Sequence, residues 1–525
     1  MISLGNSALA RSARLRVPLD HGRALQHPPL SRGAEIIESN LRLLGELPEA
    51  LQAIRVKARQ ELAALALRYS NRYLESRLSL PNDLQTIVMS GHQPTLFHPG
   101  VWFKNFALDA LAKRTGAIAI NLVVDNDLCD NLRIRTPQMI DGSHGSALHV
   151  PIDQAAAAIP FEARRVIDPE QFTEFGRRLS QAIAPSIKSS LIESLWPEVL
   201  AISQDLALPA SLAAGRHRLE VQHGLKNLEL PISWLCQSES FAEFLAEIID
   251  QASSFREIYN QSLQEHRQEN RIRSRSHPVP ELEESDDYCE LPFWFWSQEN
   301  LQRRRLFAKV GDREVELNDQ HGWSLQLSKN DLVAGLVELN RLGSPVFVRP
   351  RALTTTMFCR LFASDLFIHG VGGSKYDELG DQIASRFFAV TPPQWMTISA
   401  TMKLPADAFD MPKVSRETIR ALELRLRELR YHPEREFPGD LRSEEKRELV
   451  LENPTTNRRV WHQAIAAINR ELFAELSEQA KAVEQQLLAA RDDLPVAELL
   501  NSREFSFALF PSTLIDELTC LTESL

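Results

Sequence analysis

The chain has 525 residues, 43% of them hydrophobic and 25% charged, with a formal net charge of −11. That length exceeds one simple core and predicts two to four domains or large insertions. The acidic balance argues against general nucleic-acid binding, which calls for a basic surface, and no apolar run approaches the roughly 20 residues of a membrane span.

The N-terminus carries scattered arginines and no continuous apolar core, which makes a poor signal peptide. Cys129, Cys236, Cys289, Cys359 and Cys520 lie far apart without a Cys-x-x-Cys pair. That usage fits a reducing, cytoplasmic setting, excludes a cysteine-based zinc site, and leaves no metal site predicted. Residues 1–34 are irregular and proline-containing and predict an extended surface arm. Glu35 to Arg77, rich in Leu, Ala, Glu and Arg with apolar steps of three and four, predicts a long helix. Residues 1–84 are therefore read as an N-terminal arm and helix.

The stretch from Gln85 to Asn131 reads as strand, polar loop, helix, strand and acidic loop. Thr86–Met89 is a short β-branched apolar run, ended by Ser-Gly, that suits a buried parallel strand. The loop Gly91–Gly100 holds two histidines, a glutamine and two prolines, so its backbone is stiff and its side chains can be aimed. Phe103, Phe106, Ala107, Ala110 and Leu111 then form one helical stripe. Ala117–Val124 is a second apolar run, ending in Asp125-Asn126-Asp127. Such a βαβ unit puts its loops at the carboxyl ends of parallel strands, where open α/β sheets bind ligands. Residues 85–150 are read as the first half of a Rossmann-like, parallel-sheet α/β core.

Residues 151–340 predict a large α+β insertion. Pro169–Ile183, Ser189–Gln204 and Ser238–Arg271 are periodic at helical spacing. ELPFWFW and RRRLFAKVGDREVELND predict strands, the second with a Gly-Asp hairpin turn. The aromatic run Phe293–Trp296 reads as core packing in preference to a base-stacking platform.

Residues 341–410 are read as the second half of the core. SPVFVRP predicts a buried strand with Arg349 at its carboxyl end, followed by a helix and the strand DLFIHGV. Gly370-Val371-Gly372-Gly373 leads into Ser374-Lys375-Tyr376-Asp377, a capping-box pattern. Glycines ahead of a helix start can cradle phosphate, and they also allow close helix–strand packing. WMTISATMKLP predicts a last strand. In 411–495, Ile419, Leu422, Leu426 and Leu429 begin one helix, and Trp461 to Leu488 repeats apolar residues in a second. The two predict an antiparallel coiled-coil arm and, through it, a homodimer. Residues 496–525 predict a tail that docks on the body.

Lys104 and Lys375 each put a cation in a predicted first helical turn, against the helix dipole. A bound anion would reverse the sign of that interaction, and a lysine snorkelling beside an apolar stripe is the plainer reading. Two such lysines at two predicted strand ends point to an anionic small-molecule ligand between them.

The order and wording of several segments resemble the cysteine-adding enzyme family of bacillithiol synthesis, a cysteine ligase. That family has a Gly-Gln-Gln…Leu-Phe…Gly-Pro loop, a helix bearing a lysine, and a strand ending in Asp-His-Asp. Those places hold Gly91-His92-Gln93, Leu96-Phe97, Pro99-Gly100, Lys104 and Asp125-Asn126-Asp127 here. The family's Leu-Arg-Pro strand and Gly-Gly turn resemble Val348-Arg349-Pro350 and Gly372-Gly373-Ser374-Lys375-Tyr376. The resemblance implies a core similar to class I nucleotidyltransferases and aminoacyl-tRNA synthetases, with a coiled-coil dimer contact. It also implies the joining of cysteine's carboxylate to the amine of a glucosaminyl-malate conjugate. His92 stands for a glutamine and Asn126 for a histidine, exchanges that would alter substrate choice.

Activating a carboxylate with a nucleotide develops charge on phosphate, so ATP with Mg2+ is the expected cofactor and fixed cations are the expected stabilisers. Lys104, His92 and His98 are expected to hold phosphate or carboxylate oxygens and Gln93 to orient them, with Gly91, Gly100, Gly372, Gly373, Ser374 and Lys375 binding nucleotide or anion. Asp125 and Asp127 would bind a ribose, an amine or a metal, or merely brace the loop, and Asn126 between them is expected to bind substrate. Arg349 would clamp a carboxylate bidentately, or pair with an internal acid. The competing classes are a non-catalytic or repurposed scaffold that binds a small molecule or partner, and a nucleotidyltransferase of another substrate.

Overall fold

In the computed structural model the described residues are 15–80, 86–130, 132–140, 144–184, 187–274, 276–277, 279–405, 414–452, 454 and 456–523. The first 14 residues of the expected arm, Gln85 at the head of the expected strand, and 406–413 at the expected junction of core and arm lie outside them. The fold is mixed α/β. Two compact units divide the chain: Met1–Ile134, His149–Met402 and Arg503–Leu525 form the first, and Arg135–Leu148 with Lys403–Ser502 the second.

In the first unit a six-stranded sheet is mostly parallel. Ile87–His92 pairs parallel with Ile118–Val123 on one side and Leu366–His369 on the other. Leu228–Pro231 continues the first side and Trp395–Thr401 the second, both parallel. The strand from Ile87 runs through Ser90 and Gly91 rather than stopping there. It can do so because a side chain at Gly91 would sit 2.9 Å from Leu122 Cβ and its carbonyl oxygen, so only glycine lets the neighbouring strand this close.

Part of the expected surface arm is edge strand instead. Arg23–His27 pairs antiparallel with Thr397–Thr401, which supplies the hydrogen bonds its irregular sequence does not advertise. The expected single helix from Glu35 is two, Gly33–Gly45 and Glu49–Ser70, because Pro48 lacks the N–H needed to continue a helix through it. Ser238–Arg271 likewise divides at Gln251 into Glu239–Asp250 and Ala252–Glu269.

A second, antiparallel sheet is built from Tyr288–Ser297, Arg304–Val310, Glu314–Asn318 and Ser324–Ser328, with Val346–Pro350 on the far side of Tyr288–Ser297. The SPVFVRP strand therefore leaves the parallel sheet to which its sequence assigns it. A short buried apolar run fits a central strand of either kind, and its partner is decided by tertiary packing. One apolar core continues from Ile87, Met89 and Ile120 through Phe241, Phe244, Phe358 and Phe362 to Phe293, Phe295 and Val348. The C-terminal segment packs Phe507 onto Trp102, with ring centroids 4.3 Å apart, and Phe507 N–H donates to the Phe97 carbonyl at 2.9 Å.

The second unit contains the helices Arg416–Tyr431, Leu441–Glu452, Arg458–Glu475 and Ser477–Leu500. Leu429, Leu476, Ala480 and Val483 form its core, with Leu422, Leu426 and Phe473 against them. The single helix expected from Trp461 to Leu488 is broken at Leu476, whose side chain is buried in that core.

Candidate functional site

From Ile87–His92 the chain passes through the helix Pro99–Thr115 to Ile118–Val123 on one side. From Leu366–His369 it passes through Val371–Phe388 to Trp395–Thr401 on the other. Strand order thus reverses between two adjacent parallel strands, and open α/β sheets place their ligand crevice at the carboxyl side of such a reversal. A cavity of about 660 Å3 lies there.

Both helix starts reach it. His98 caps the first: its Nδ1 accepts the Gly100 N–H at 3.1 Å, so its proton sits on Nε2. The second starts at Gly370 with no side-chain cap, and Val371, Gly372 and Gly373 line the cavity. First-turn N–H groups have no partner within their own helix and favour an anion. A capping box at Ser374–Asp377 is not formed, because the helix already begins at Val371. Ser374 is buried in the second turn and donates to the Val371 carbonyl at 3.2 Å, while Lys375 is exposed and does not line the cavity.

Lys104 is the central cation. The helix that carries it is buried on nearly every side, so its side chain is only 3% exposed. Its ammonium donates to the Gly91 carbonyl and meets no carboxylate among the described residues. Burial, reinforced by the nearby Arg216 charge, pushes it down to about 7. Burial, with Lys104 beside it, also lowers His92 to about 3, so this imidazole is neutral near pH 7. Its Nδ1 lies 3.3 Å from the Gln93 carbonyl, which makes it the donor and leaves Nε2 as acceptor. His98 is lowered by burial to about 4, against the pull of Glu504.

Gln93 donates to Asp127 Oδ2 at 2.6 Å, and Arg303 holds Asp127 Oδ1 at 2.9 Å. Asn126 donates to the Pro350 carbonyl at 2.7 Å, tying the acidic loop to the antiparallel sheet. Asp127 is the only carboxylate among the described lining residues, against Lys104, Arg303, Arg351 and Arg503. The cavity is therefore electropositive.

Asp125 and Arg349 do not join this group. They line a neighbouring cavity of about 540 Å3 at the carboxyl ends of Ile118–Val123 and Leu228–Pro231. Arg349 donates from Nε and Nη2 to the two oxygens of Glu162 at 2.8 and 2.9 Å, so the internal-acid alternative is the one formed. Asp125 accepts from Ser233 N–H at 3.0 Å and from its hydroxyl, and burial, with Glu162 nearby, raises it to about 7. The loop Asp125–Asp127 is the wall between the two cavities. Gly100 has mainly a packing role: a side chain there would overlap the Ala400 carbonyl oxygen and lie 2.8 Å from Arg503 Nη2.

Several lining residues carry no motif in the sequence. Trp294 faces the cavity from an otherwise buried aromatic strand, with Arg351 and Arg303 over its ring at 4.2 and 4.6 Å. Strand alternation held the signal, since Phe293 and Phe295 point the other way into the core. His369 ends a parallel strand, the position where ligand-contacting residues collect. Arg351 follows the Pro350 strand end, and its partner Glu290 is 61 residues away.

No protein-family model and no curated protein matches the chain.

Proposed function

We propose that the chain is a ligase that activates a carboxylate with a nucleotide and joins it to the amine of a small sugar conjugate, with cysteine as the carboxylate donor by resemblance. What supports this reading is one observation: two helix starts and the buried, acid-free Lys104 converge on a single electropositive cavity where strand order reverses. On this reading the parallel sheet is a Rossmann-like core.

The residues present fit a nucleotide's phosphates, which suit Lys104 and the uncapped helix start at Gly370. ATP would supply the activating phosphoryl or adenylyl group. Among the described residues no cluster of three metal-binding side chains occurs, and Asp127 is engaged by Gln93 and Arg303. A Mg2+ ion would therefore ride on phosphate oxygens and water, as it does in many nucleotide sites. Lys104 stabilises the charge that develops on the transferred group, and His92 Nε2 accepts a hydrogen bond from the substrate. Gln93 and Arg303 fix Asp127 at the cavity wall.

A homodimer through the helical unit belongs to the same proposal. Leu424, Val450, Leu451, Val460 and Leu488 are exposed there, apolar side chains that a second copy would cover.

The test is incubation of the full chain with ATP, Mg2+, cysteine and glucosaminyl-malate, with mass spectrometry of the amide product. Product from the parent chain, lost in Lys104→Ala and His92→Ala, is expected. Nucleotide consumption that ignores cysteine would favour a nucleotidyltransferase of another substrate. No turnover, with function sensitive only to substitutions in the helical unit, would favour the binding scaffold.

A further inference from the structure

We propose that His369 is the proton acceptor of the electropositive cavity and that Asp377 is its positioning residue, an inference that deepens the ligase reading and rests on it for its kinetic arm. His369 is the last residue of the strand Leu366–His369, next to the reversal of strand order, and it lines the cavity while being only 4% exposed. Its Nε2 lies 2.5 Å from Asp377 Oδ2, an ion-pair approach that is not aligned as a hydrogen bond. A carboxylate at that nitrogen keeps the proton on Nε2 and leaves Nδ1 as the basic atom.

Asp377 is built to stay an anion. Burial pushes its carboxyl up, but His369 and Arg360 outweigh that and hold it below the ordinary range. Thr356 Oγ1 donates to its Oδ1 at 3.0 Å, and Arg360 Nη1 lies 3.2 Å from its Oδ2. Arg360 is itself paired with Asp381 at 2.7 Å and lies over the Trp395 ring at 4.6 Å, so the carboxylate cannot swing away. The helix start makes room for the base. A side chain at Gly373 would lie 3.1 Å from His369 Nδ1, and Gly373 lines the same cavity. Nδ1 takes no hydrogen bond from any described residue, so it is available to a ligand. Lys104 runs alongside, its Cδ 4.0 Å from where a Gly370 side chain would begin.

The step is a proton transfer coupled to acyl transfer. As the substrate amine attacks the activated carboxyl carbon, a nitrogen–carbon bond forms. The bond from that carbon to the phosphate oxygen breaks, and its electron pair leaves with the phosphate. The proton shed by the amine nitrogen goes to His369 Nδ1, and the imidazolium so formed faces the Asp377 carboxylate. Lys104, alongside, meets the departing phosphate.

Two measurements test this. In the full chain labelled with 15N-histidine, two-bond proton–nitrogen correlation near pH 7.5 is expected to show His369 protonated on Nε2 and bare on Nδ1, with that preference weakened in Asp377→Asn. A proton on Nδ1 overturns the proposal whether or not the chain is a ligase. In the amide-forming assay, His369→Gln is expected to lower kcat by at least ~100-fold, the scale of general-base catalysis, with the KM for ATP within about twofold of the parent. Asp377→Asn should fall between the two. His369→Gly supplied with free imidazole should recover part of the lost kcat. An unchanged kcat in His369→Gln overturns the base assignment, whereas a parent chain that makes no amide sinks the ligase reading and leaves the tautomer result to decide His369.

Discussion

Lys104 carries the clearest conflict between stability and use. Its ordinary value is 10.5 and the folded chain holds it near 7, so between those values the unfolded chain binds more protons than the folded one. Stability from this group therefore rises with pH across that window and is lowest below it. Lys104→Met is expected to make the chain more stable by about 1–3 kcal/mol in urea melts at pH 7. The gain should shrink as pH is raised toward 10. The same substitution should weaken pyrophosphate binding at least ~tenfold, the loss of one charge-assisted contact. A pH-independent stability difference would mean that Lys104 is not titrating in this range. His92 and His98 work at the opposite end. Both are held below their ordinary 6.5, so the folded chain loses stability to the unfolded one as pH falls from 6.5 toward 4. Thermal melts should drop over that interval, and less so in His92→Asn.

At the scale of the element, the two helix starts differ in what their glycines do. Gly100 is pressed against the strand Trp395–Thr401, where an added methyl meets a backbone carbonyl that cannot turn aside. Gly100→Ala should cost about 3 kcal/mol, the upper end for overpacking. Gly372 has nothing within 4 Å of an added methyl and is already helical. Gly372→Ala should therefore stabilise by about 0.5–1 kcal/mol through helix propensity, while its methyl intrudes on the cavity and weakens ligand binding. Equal melting temperatures for the two variants would contradict this division.

Across the whole chain, distant charges join the N-terminal helices to the sheet. Asp365 accepts from Ile87 N–H at 2.7 Å and from Arg59 at 2.7 Å, and it pairs with Arg55 as well. Asp365→Ala takes the carboxylate away from the buried Arg55 guanidinium and should cost about 3–5 kcal/mol, measured by denaturant unfolding. The two units have separate cores, one around Phe241, Phe358 and Phe362 and one around Leu429, Leu476 and Val483. Calorimetry should resolve two transitions, since cooperativity follows shared packing. A single transition with equal calorimetric and van't Hoff enthalpies would show the two to be one folding unit.

Local pattern was enough to find the strand from Ile87, the helix with Lys104, the strand ending before Asp125 and the hairpin around Gly311. Apolar period and turn residues are properties of neighbours in sequence, and they survive whatever the rest of the chain does. The polar loop Gly91–Gly100 and the glycines at 372 and 373 were also visible as places where backbone could meet an anion. Partnership was not visible. Arg349 meets Glu162 across 187 residues, a buried VFVRP strand joins an antiparallel sheet, and the loop Asp125–Asp127 is split between two cavities. His369 and Asp377 looked like a strand end and a helix cap until folding set them side by side. Sequence by itself determined the strand from Ile87, the helix with Lys104, the strand before Asp125 and the Gly311 hairpin, because those follow from short-range sterics and periodicity, whereas the edge strand Arg23–His27 did not show in it. Which charges end up paired, and which are left facing the cavity, was decided only by the tertiary structure, because burial raises the cost of every unpaired charge and the partner can come from anywhere in the chain.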